Sequence, residues 1–343
     1  MRISEYDFQL PQGFIAQYPS EKREHSKLMI LHRKSESIEH KTFYQIIDYL
    51  NKSDGLVINQ TRIFPARLFG KLENRDSKIE ILLLKKIEDD MWEILVKPGR
   101  KAKIGQKIVF DENKLSCQIL DRSPAGGRVV RFFYDADFHK IVEEIGVIPL
   151  PPYIKREPEI VDKKRYQTVY AKEIGAVAGP TAGFHFTDEL LKKIEGKGIV
   201  LIPIVLHVGL GTFRPIKVDD PSQHRMEAEY FKMDESSARK IKQVRENGGK
   251  IFAVGTSVVR TLETVARQDN ILEHREGWTD IFIYPPYQFK LVDAILTNFH
   301  LPKSTLLLLV SAFSNKDLIF KAYQEAIDRK YRFYSYGDAM LII

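Results

Sequence analysis

The sequence predicts an α/β protein: a mostly parallel sheet or barrel with helices, joined to a small antiparallel barrel or sandwich. Three observations carry this expectation. In the C-terminal half, apolar runs alternate with stretches of helical periodicity, the pattern of parallel strands connected through helices. Between about residues 56 and 150, short β-like runs recur with no helix between them. Four C-terminal apolar runs also end in clusters of glycine and polar residues, as strands do where their carboxyl ends converge on a ligand.

In chain order, the first 55 residues hold no comparable unit and are expected to pack with the α/β part. The β-rich stretch follows as LVIN (56–59), KIEILLL (78–84), WEILVK (92–97), KIVF (107–110), LSCQIL (115–120) and GRVVRFFY (127–134). Turn signals such as Lys97-Pro98-Gly99 separate these runs, and the stiff Ile148-Pro-Leu-Pro-Pro152 closes the segment. The expected division is therefore a large unit of residues 1–58 and 151–343 with residues 59–150 inserted. Thr187-Asp-Glu starts a helix with a capping hydroxyl and first-turn acids, ending at Gly196 or Gly198, before a strand at 199–206. Asp234 caps a second helix that stops at Gly248-Gly249, before a strand at 250–254. A helix at 257–267, strands near 279–284 and 293–297, and helices near 305–313 and 316–329 complete the alternation.

A chain of 343 residues is long enough for about two domains. Its single cysteine, Cys117, permits no internal disulfide and no cysteine-based zinc cluster, and no metal is expected. No apolar signal core follows Met1, and the apolar stretch Leu306 to Phe313 is far too short to span a bilayer. No membrane association is expected, and a cytoplasmic protein is. The net charge of +7 favours a polyanionic partner; a solvated lysine-rich surface explains the charge equally well.

No Walker loop, complete GxGxxG, HExxH or GxSxG elbow is present, and Gly209-Leu-Gly211 lacks the third glycine of a nucleotide fingerprint. The remaining chemistry lies in polar residues within apolar surroundings. His185 sits between two phenylalanines in PTAGFHFT (180–187), and His207 and His300 stand at strand ends beside glycine, threonine or asparagine. A packed core histidine is the plainer reading of each alone, whereas one shared site accounts for all three together. His224-Arg-Met-Glu227-Ala-Glu229 reads either as acid–base groups or as an exposed charge cluster. Ser335-Tyr-Gly-Asp338 reads as a turn into a final strand or as a ligand-contacting edge. Lys97, Arg100, Lys101, Lys103 and Lys107 cluster at a Pro-Gly turn, suited to a nucleic-acid backbone or simply to solvent.

The ordered strings IAQYP (15–19), NQTRIFPARL (59–68), PLPPYI (149–154), YQTVYA (166–171) and PTAGFHFT (180–187) open a longer series. It continues with LHVGLGTFRP (206–215), VGTSVVRTLE (254–263), TNFHLPKSTL (297–306) and YRFYSYGDAML (331–341). Together they span nearly the whole chain, which on them resembles the S-adenosylmethionine:tRNA ribosyltransferase-isomerase family of queuosine biosynthesis. The resemblance implies a barrel-like large α/β domain with an inserted antiparallel β-barrel domain. It also implies transfer and isomerisation of the ribosyl moiety of S-adenosylmethionine onto 7-aminomethyl-7-deazaguanine in a tRNA anticodon. The products are epoxyqueuosine-tRNA, adenine and methionine. S-adenosylmethionine is then a co-substrate, no bound cofactor is needed, and the protein is expected to act as a monomer.

On that resemblance the catalytic candidates are His185, His207, His224, Glu229 and His300. Thr181, Gly209, Gly211, Thr212, Thr256, Arg260, Asn298, Ser304, Thr305 and Asp338 are candidates to hold the donor, and Arg67, Lys97, Arg100, Lys101 and Lys103 to hold RNA. Within this set Glu229 and Asp338 suit the donor's cationic or ribose portions, and the hydroxyl and amide side chains its hydroxyls and methionine end. The usual H-x-M-H-x-E pattern is altered here, because Glu227 replaces the second histidine; Gln60, Gly179 and Pro286 are smaller departures. A noncatalytic RNA-binding protein and a methyltransferase are the competing expectations. Product analysis separates the three: adenine with methionine, no donor turnover, or S-adenosylhomocysteine.

Overall fold

The computed structural model describes residues 1–73, 77–112, 114–123, 126–209, 211, 216–267 and 274–343. With strands numbered in chain order, the large sheet draws on both ends of the sequence. Its nine strands lie in the order β15 (Arg275–Thr279), β13 (Glu229–Met233), β12 (Val200–Leu206), β3 (Gly55–Asn59), β14 (Ile251–Val254), β16 (Ala294–Asn298), β17 (Ala339–Ile342), β1 (Lys27–His32) and β2 (Ser37–Thr42). The run β12–β3–β14–β16 is parallel throughout, as is the pair β1–β17; the flanking pairs are antiparallel.

Every residue of β3, β14, β16 and β17 is buried, because both faces of the sheet are covered. Continuous apolar runs, rather than alternating ones, follow from that burial. The pleat divides each strand between two cores. Val57, Ile202, Ala253 and Ile295 pack against α4 (Glu235–Glu246), α5 (Thr256–Ala266), α6 (Thr305–Phe313) and α7 (Lys316–Asp328). Leu56, Ile58, Phe252 and Leu296 face α3 (Asp188–Gly196) and the turn carrying Phe43 and Ile46. Helix starts follow the capping residues read from the sequence: Thr187 accepts from the Leu190 N–H and Asp234 from the Ser237 N–H.

The second unit is a closed antiparallel barrel of six strands: β5 (Arg67–Leu72), β6 (Lys78–Lys86), β7 (Met91–Lys97), β10 (Arg128–Phe133), β9 (Leu115–Arg122) and β8 (Lys107–Asp111). Alternate residues turn inward, among them Ile79, Ile81, Leu83, Ile94, Cys117 and Ile119. Helix α1 (Phe138–Ile145) plugs the barrel by stacking Phe138 on Trp92 at 5.3 Å between ring centres. Among the described residues the closed ring is this small barrel, while the large sheet ends at two edges, β15 and β2.

Three details depart from the sequence reading. Residues 56–59 are the centre of the large sheet, not a neighbour of the barrel strands, since their full burial matches β12 and β14 on either side. The strand expected near 279–284 lies earlier, at β15, where exposed Trp278 and buried Thr279 alternate along a sheet edge. Finally, β4 (Thr61–Ile63) leaves β3 to pair in parallel with β11 (Glu173–Ala176), and α2 (Ile160–Arg165) follows the proline-rich crossing.

Candidate active site

Because β12, β3, β14 and β16 run in one direction, their carboxyl ends meet at one edge of the sheet, where open α/β sheets bind ligands. Asn59, at the end of β3, fastens this edge. Its carbonyl oxygen accepts from the Leu206 and Thr61 N–H groups at 3.1 Å each, and its amide donates to the Leu206 carbonyl at 2.9 Å and to Ser257 Oγ at 3.2 Å. All four hydrogen-bonding positions of the amide are therefore used. Next to it, Gly255 turns β14 into α5 at φ +91°, a backbone region that disfavours side chains, and so delivers Thr256 and Ser257 to the edge. The DIFIYPPY segment does not join this edge. Tyr287 instead turns its hydroxyl to Glu263, whose buried carboxylate also accepts from the Lys290, Leu291 and Val292 N–H groups.

The edge encloses a pocket with an apolar floor of Leu206, Val208, Phe299, Leu301 and Leu306. Of the polar residues singled out in the sequence, Thr181, Glu229, Thr256, Arg260, Asn298, His300 and Ser304 lie on its wall. Arg260 reaches across from α5 to pair with Glu229 on β13, with only 4% and 6% of their side chains exposed. The pair is oriented on both sides. Gly209 N–H donates to Glu229 Oε1 at 2.7 Å, and the guanidinium also donates to the carbonyls of Ile281 and Thr279. A buried charge pair needs such added hydrogen bonds to offset its desolvation.

His300 and His185 are both held neutral by burial, each with its pKa pushed down to about 3; nearby Arg332, Arg23 and Arg165 add to the effect at His185. His300 shares a hydrogen bond of 2.9 Å between its Nε2 and Thr297 Oγ1, and its main-chain N–H donates to the Tyr323 hydroxyl. His185 stands one layer behind the wall. Asn298 Nδ2 donates to its Nε2 at 3.2 Å, which leaves Nδ1–H to donate to Ser26 Oγ at 2.7 Å. Asn298 Oδ1 in turn accepts from the Thr181 hydroxyl at 2.9 Å, so Thr181 presents an acceptor to the pocket. Ser304 caps α6, accepting from the Leu307 N–H.

The sequence matches the family model described as "Queuosine biosynthesis protein" over residues 3–342. The chain belongs to the queuosine biosynthesis protein family. Among curated members, the S-adenosylmethionine:tRNA ribosyltransferase-isomerases of Symbiobacterium thermophilum and Halothermothrix orenii are each 52% identical to it over the full length of both chains. The crystal structure titled S-adenosylmethionine tRNA ribosyltransferase from Thermotoga maritima is 41% identical, covers 99% of this chain and 100% of its own, and superposes with a TM-score of 0.56.

Not every residue picked from the family's strings reaches the pocket. His207 lies between the pocket residues Leu206 and Val208 and, with the two-residue period of an extended chain, turns away from them. Its Nδ1 meets Thr61 Oγ1 at 2.8 Å, and its ring stacks on Tyr230. His224 is half-buried against Phe282, off the wall, with its pKa lowered by burial. The Asp338 carboxylate is engaged by the Lys27 and Arg332 N–H groups and by the Arg332 guanidinium, which places it beneath the pocket; only its carbonyl meets Asn298. Thr305 is buried with its hydroxyl unpartnered, one position from the lining residues Ser304 and Leu306. Gly211 stands beside Glu227, so that a methyl added to it would come within 2.9 Å of that carboxylate. Thr212 lies outside the described residues.

Two lining tyrosines, Tyr153 and Tyr334, escaped the sequence reading, and Ser335, read there as part of a turn or of a ligand-contacting edge, stands beside them on the wall. Tyr153 donates to or accepts from Ser335 Oγ at 2.6 Å and stacks on Tyr334. The strings PLPPYI and YRFYSYG contain them, yet neither string has a period that aims a side chain. Of the basic candidates, Arg67 is paired with Glu80 at 2.7 Å and lines a groove with Lys97 and the Pro149–Pro152 crossing. Lys97, Arg100, Lys101 and Lys103 are exposed on the barrel.

Proposed function

We propose that this family member transfers and isomerises the ribosyl moiety of S-adenosylmethionine onto 7-aminomethyl-7-deazaguanine in tRNA, releasing adenine and methionine and leaving epoxyqueuosine-tRNA. One observation carries the reading: polar residues from widely separated family strings, Thr181, Glu229, Thr256, Arg260, Asn298 and His300, meet on one pocket wall above an apolar floor. The full-length identity to enzymes of that name supports the same reading.

The pocket supports a division of labour. The sulfonium of the donor acidifies the adjacent C5′–H, and removal of that proton begins ring opening with loss of adenine. Glu229 is the carboxylate on the wall, held by Arg260 and the Gly209 N–H, and we assign it to accept the proton or to face the sulfonium. His300, neutral through burial, suits a hydrogen bond to the departing adenine rather than a cationic role. Thr181 offers an acceptor to a ribose hydroxyl, with Asn298 and His185 fixing its orientation. The exposed basic residues of the barrel suit the tRNA backbone. A unit of residues 59–150 inserted in residues 1–58 and 151–343, a monomeric state and a cytoplasmic location complete the reading. No helix of the described residues is long and apolar enough to cross a membrane.

Incubation with S-adenosylmethionine and tRNA carrying the deazaguanine precursor, followed by nucleoside mass analysis, tests the assignment. Epoxyqueuosine with free adenine and methionine is expected. S-adenosylhomocysteine would indicate methyl transfer instead, and folded protein that leaves the donor intact would reduce the chain to an RNA-binding role.

A further inference from the structure

On the far side of Ser335 and His185 from the pocket lies a shallow depression flanked by Arg23 and Arg165. Each guanidinium is held by main-chain carbonyls. Arg23 donates to Phe184 and Lys164 at 2.8 and 2.7 Å, and Arg165 to Glu21 and Ser20 at 3.0 and 2.6 Å. Among the described residues neither meets a carboxylate, whereas Arg156, Arg245 and Arg260 each pair with one. Neutral carbonyls fix a guanidinium in place without cancelling its charge. The charges also feel one another: Arg23 has its pKa lowered to about 10, by burial first and by Arg165 next, and so remains a cation at neutral pH. Arg332 adds a third cation near His185. Arg165 Nε is buried with no partner, an unmet donor of a kind that native folds seldom retain.

We propose that Arg23 and Arg165 form a seat for one phosphodiester group of the RNA substrate, beside the nucleotide whose base enters the pocket across Ser335. Each guanidinium has five N–H donors in a rigid fork, and two are committed to carbonyls through NH1 and NH2; the rest match the oxygens of a phosphate. The donor's own carboxylate is the other anion at hand, but the wall between pocket and seat is closed. Ser335 Oγ is held by the Tyr153 hydroxyl at 2.6 Å and the Tyr166 hydroxyl at 3.2 Å, with His185 locked between Ser26 and Asn298. A small molecule in the pocket does not cross that wall. A polymer passing outside it reaches both places.

The proposal rests on the reading of tRNA as substrate, and the two fail separately: if that reading is wrong, the unaltered protein modifies no tRNA. The test compares full-length R23Q, R165Q and R165K with the unaltered chain, measuring KM and binding for precursor tRNA across a salt series, KM for S-adenosylmethionine, and melting temperature. Loss of one charge-assisted contact is expected to raise the tRNA KM by roughly 10-fold or more. It should also reduce the slope of log affinity against log salt by about 0.7 to 0.9. R165K, which keeps the charge, should retain most of the salt slope, and the KM for S-adenosylmethionine should hold. An unchanged salt slope in both glutamine variants would overturn the proposal, including where weaker binding accompanies a fallen melting temperature. A rise in the KM for S-adenosylmethionine with tRNA binding intact would overturn it too, by giving the seat to the donor's carboxylate.

Discussion

Glu229 and Arg260 face each other where almost no water reaches, so each offsets the other's lost hydration. E229Q keeps the shape of the carboxylate and removes its basicity; single-turnover ribosyl transfer should fall by about 10²- to 10⁴-fold, read by adenine release. Its stability should also fall, by about 3–5 kcal/mol in urea titration, because Arg260 is left buried and unpaired. The two buried histidines contribute to the acid limb of stability. Their folded pKa values, lowered to about 3, lie below the ordinary value of 6.5, so the unfolded chain takes up protons that the folded one refuses. The contribution is whole above pH 6.5 and is lost as the pH falls from there toward 3, at up to about 1.4 kcal/mol per pH unit for each histidine. Melting temperature measured from pH 7 to 4 should drop less steeply in H300Q than in the unaltered protein. In sequence His207 and His300 looked alike, each at the end of an apolar run. What separates them is which way a side chain points as the chain leaves its strand, and that parity is set by the neighbouring strands rather than by the local residues.

Among the elements, the turn from β14 into α5 carries the most consequence for the pocket. Gly255 holds φ +91° there, and a would-be methyl group would make only ordinary van der Waals contact, its nearest atoms being 3.7 Å away. G255A therefore tests backbone conformation without a clash. It should cost about 1–3 kcal/mol of stability, and by displacing Thr256 it should raise the KM for S-adenosylmethionine, both measurable on the same preparation. This turn was legible as Gly-Thr-Ser after an apolar run, as were the caps Thr187 and Asp234, because a cap is a local matter of one side chain and one backbone N–H. The run at 279–284 was misplaced for the opposite reason. Ile281 and Ile283 are apolar because they pack in the core, not because they lie in a strand, and periodicity cannot tell those causes apart over so few residues.

At the scale of the whole molecule, the crossing from the barrel back to the large sheet is pinned by Asp162. Fully buried, it takes both guanidinium nitrogens of Arg156 at 2.7 and 2.8 Å and the Tyr336 hydroxyl at 2.6 Å, tying residues 156–162 to the turn that carries Ser335. D162N should cost about 3–5 kcal/mol by removing the buried partner of Arg156, which keeps only the more exposed Glu159 at 3.8 Å; proteolysis should then cut first within residues 153–166, as read by mass spectrometry. The barrel strands were legible because each alternates and each ends in a turn signal; their closure into a ring was not, since pairing partners lie far apart in sequence. The same remoteness governs the large sheet. Strand β17 follows every other strand in chain order, yet it sits inside the sheet, joining β16 on one side to β1 on the other, with Leu28 beside Ala339 and Leu31 beside Ile342. Until it arrives, β1 and β2 have no neighbour through which to reach the rest. During synthesis the nascent chain must carry two unjoined apolar edges for most of its length, which makes slow assembly, and a need for protection from aggregation, a built-in feature of this topology.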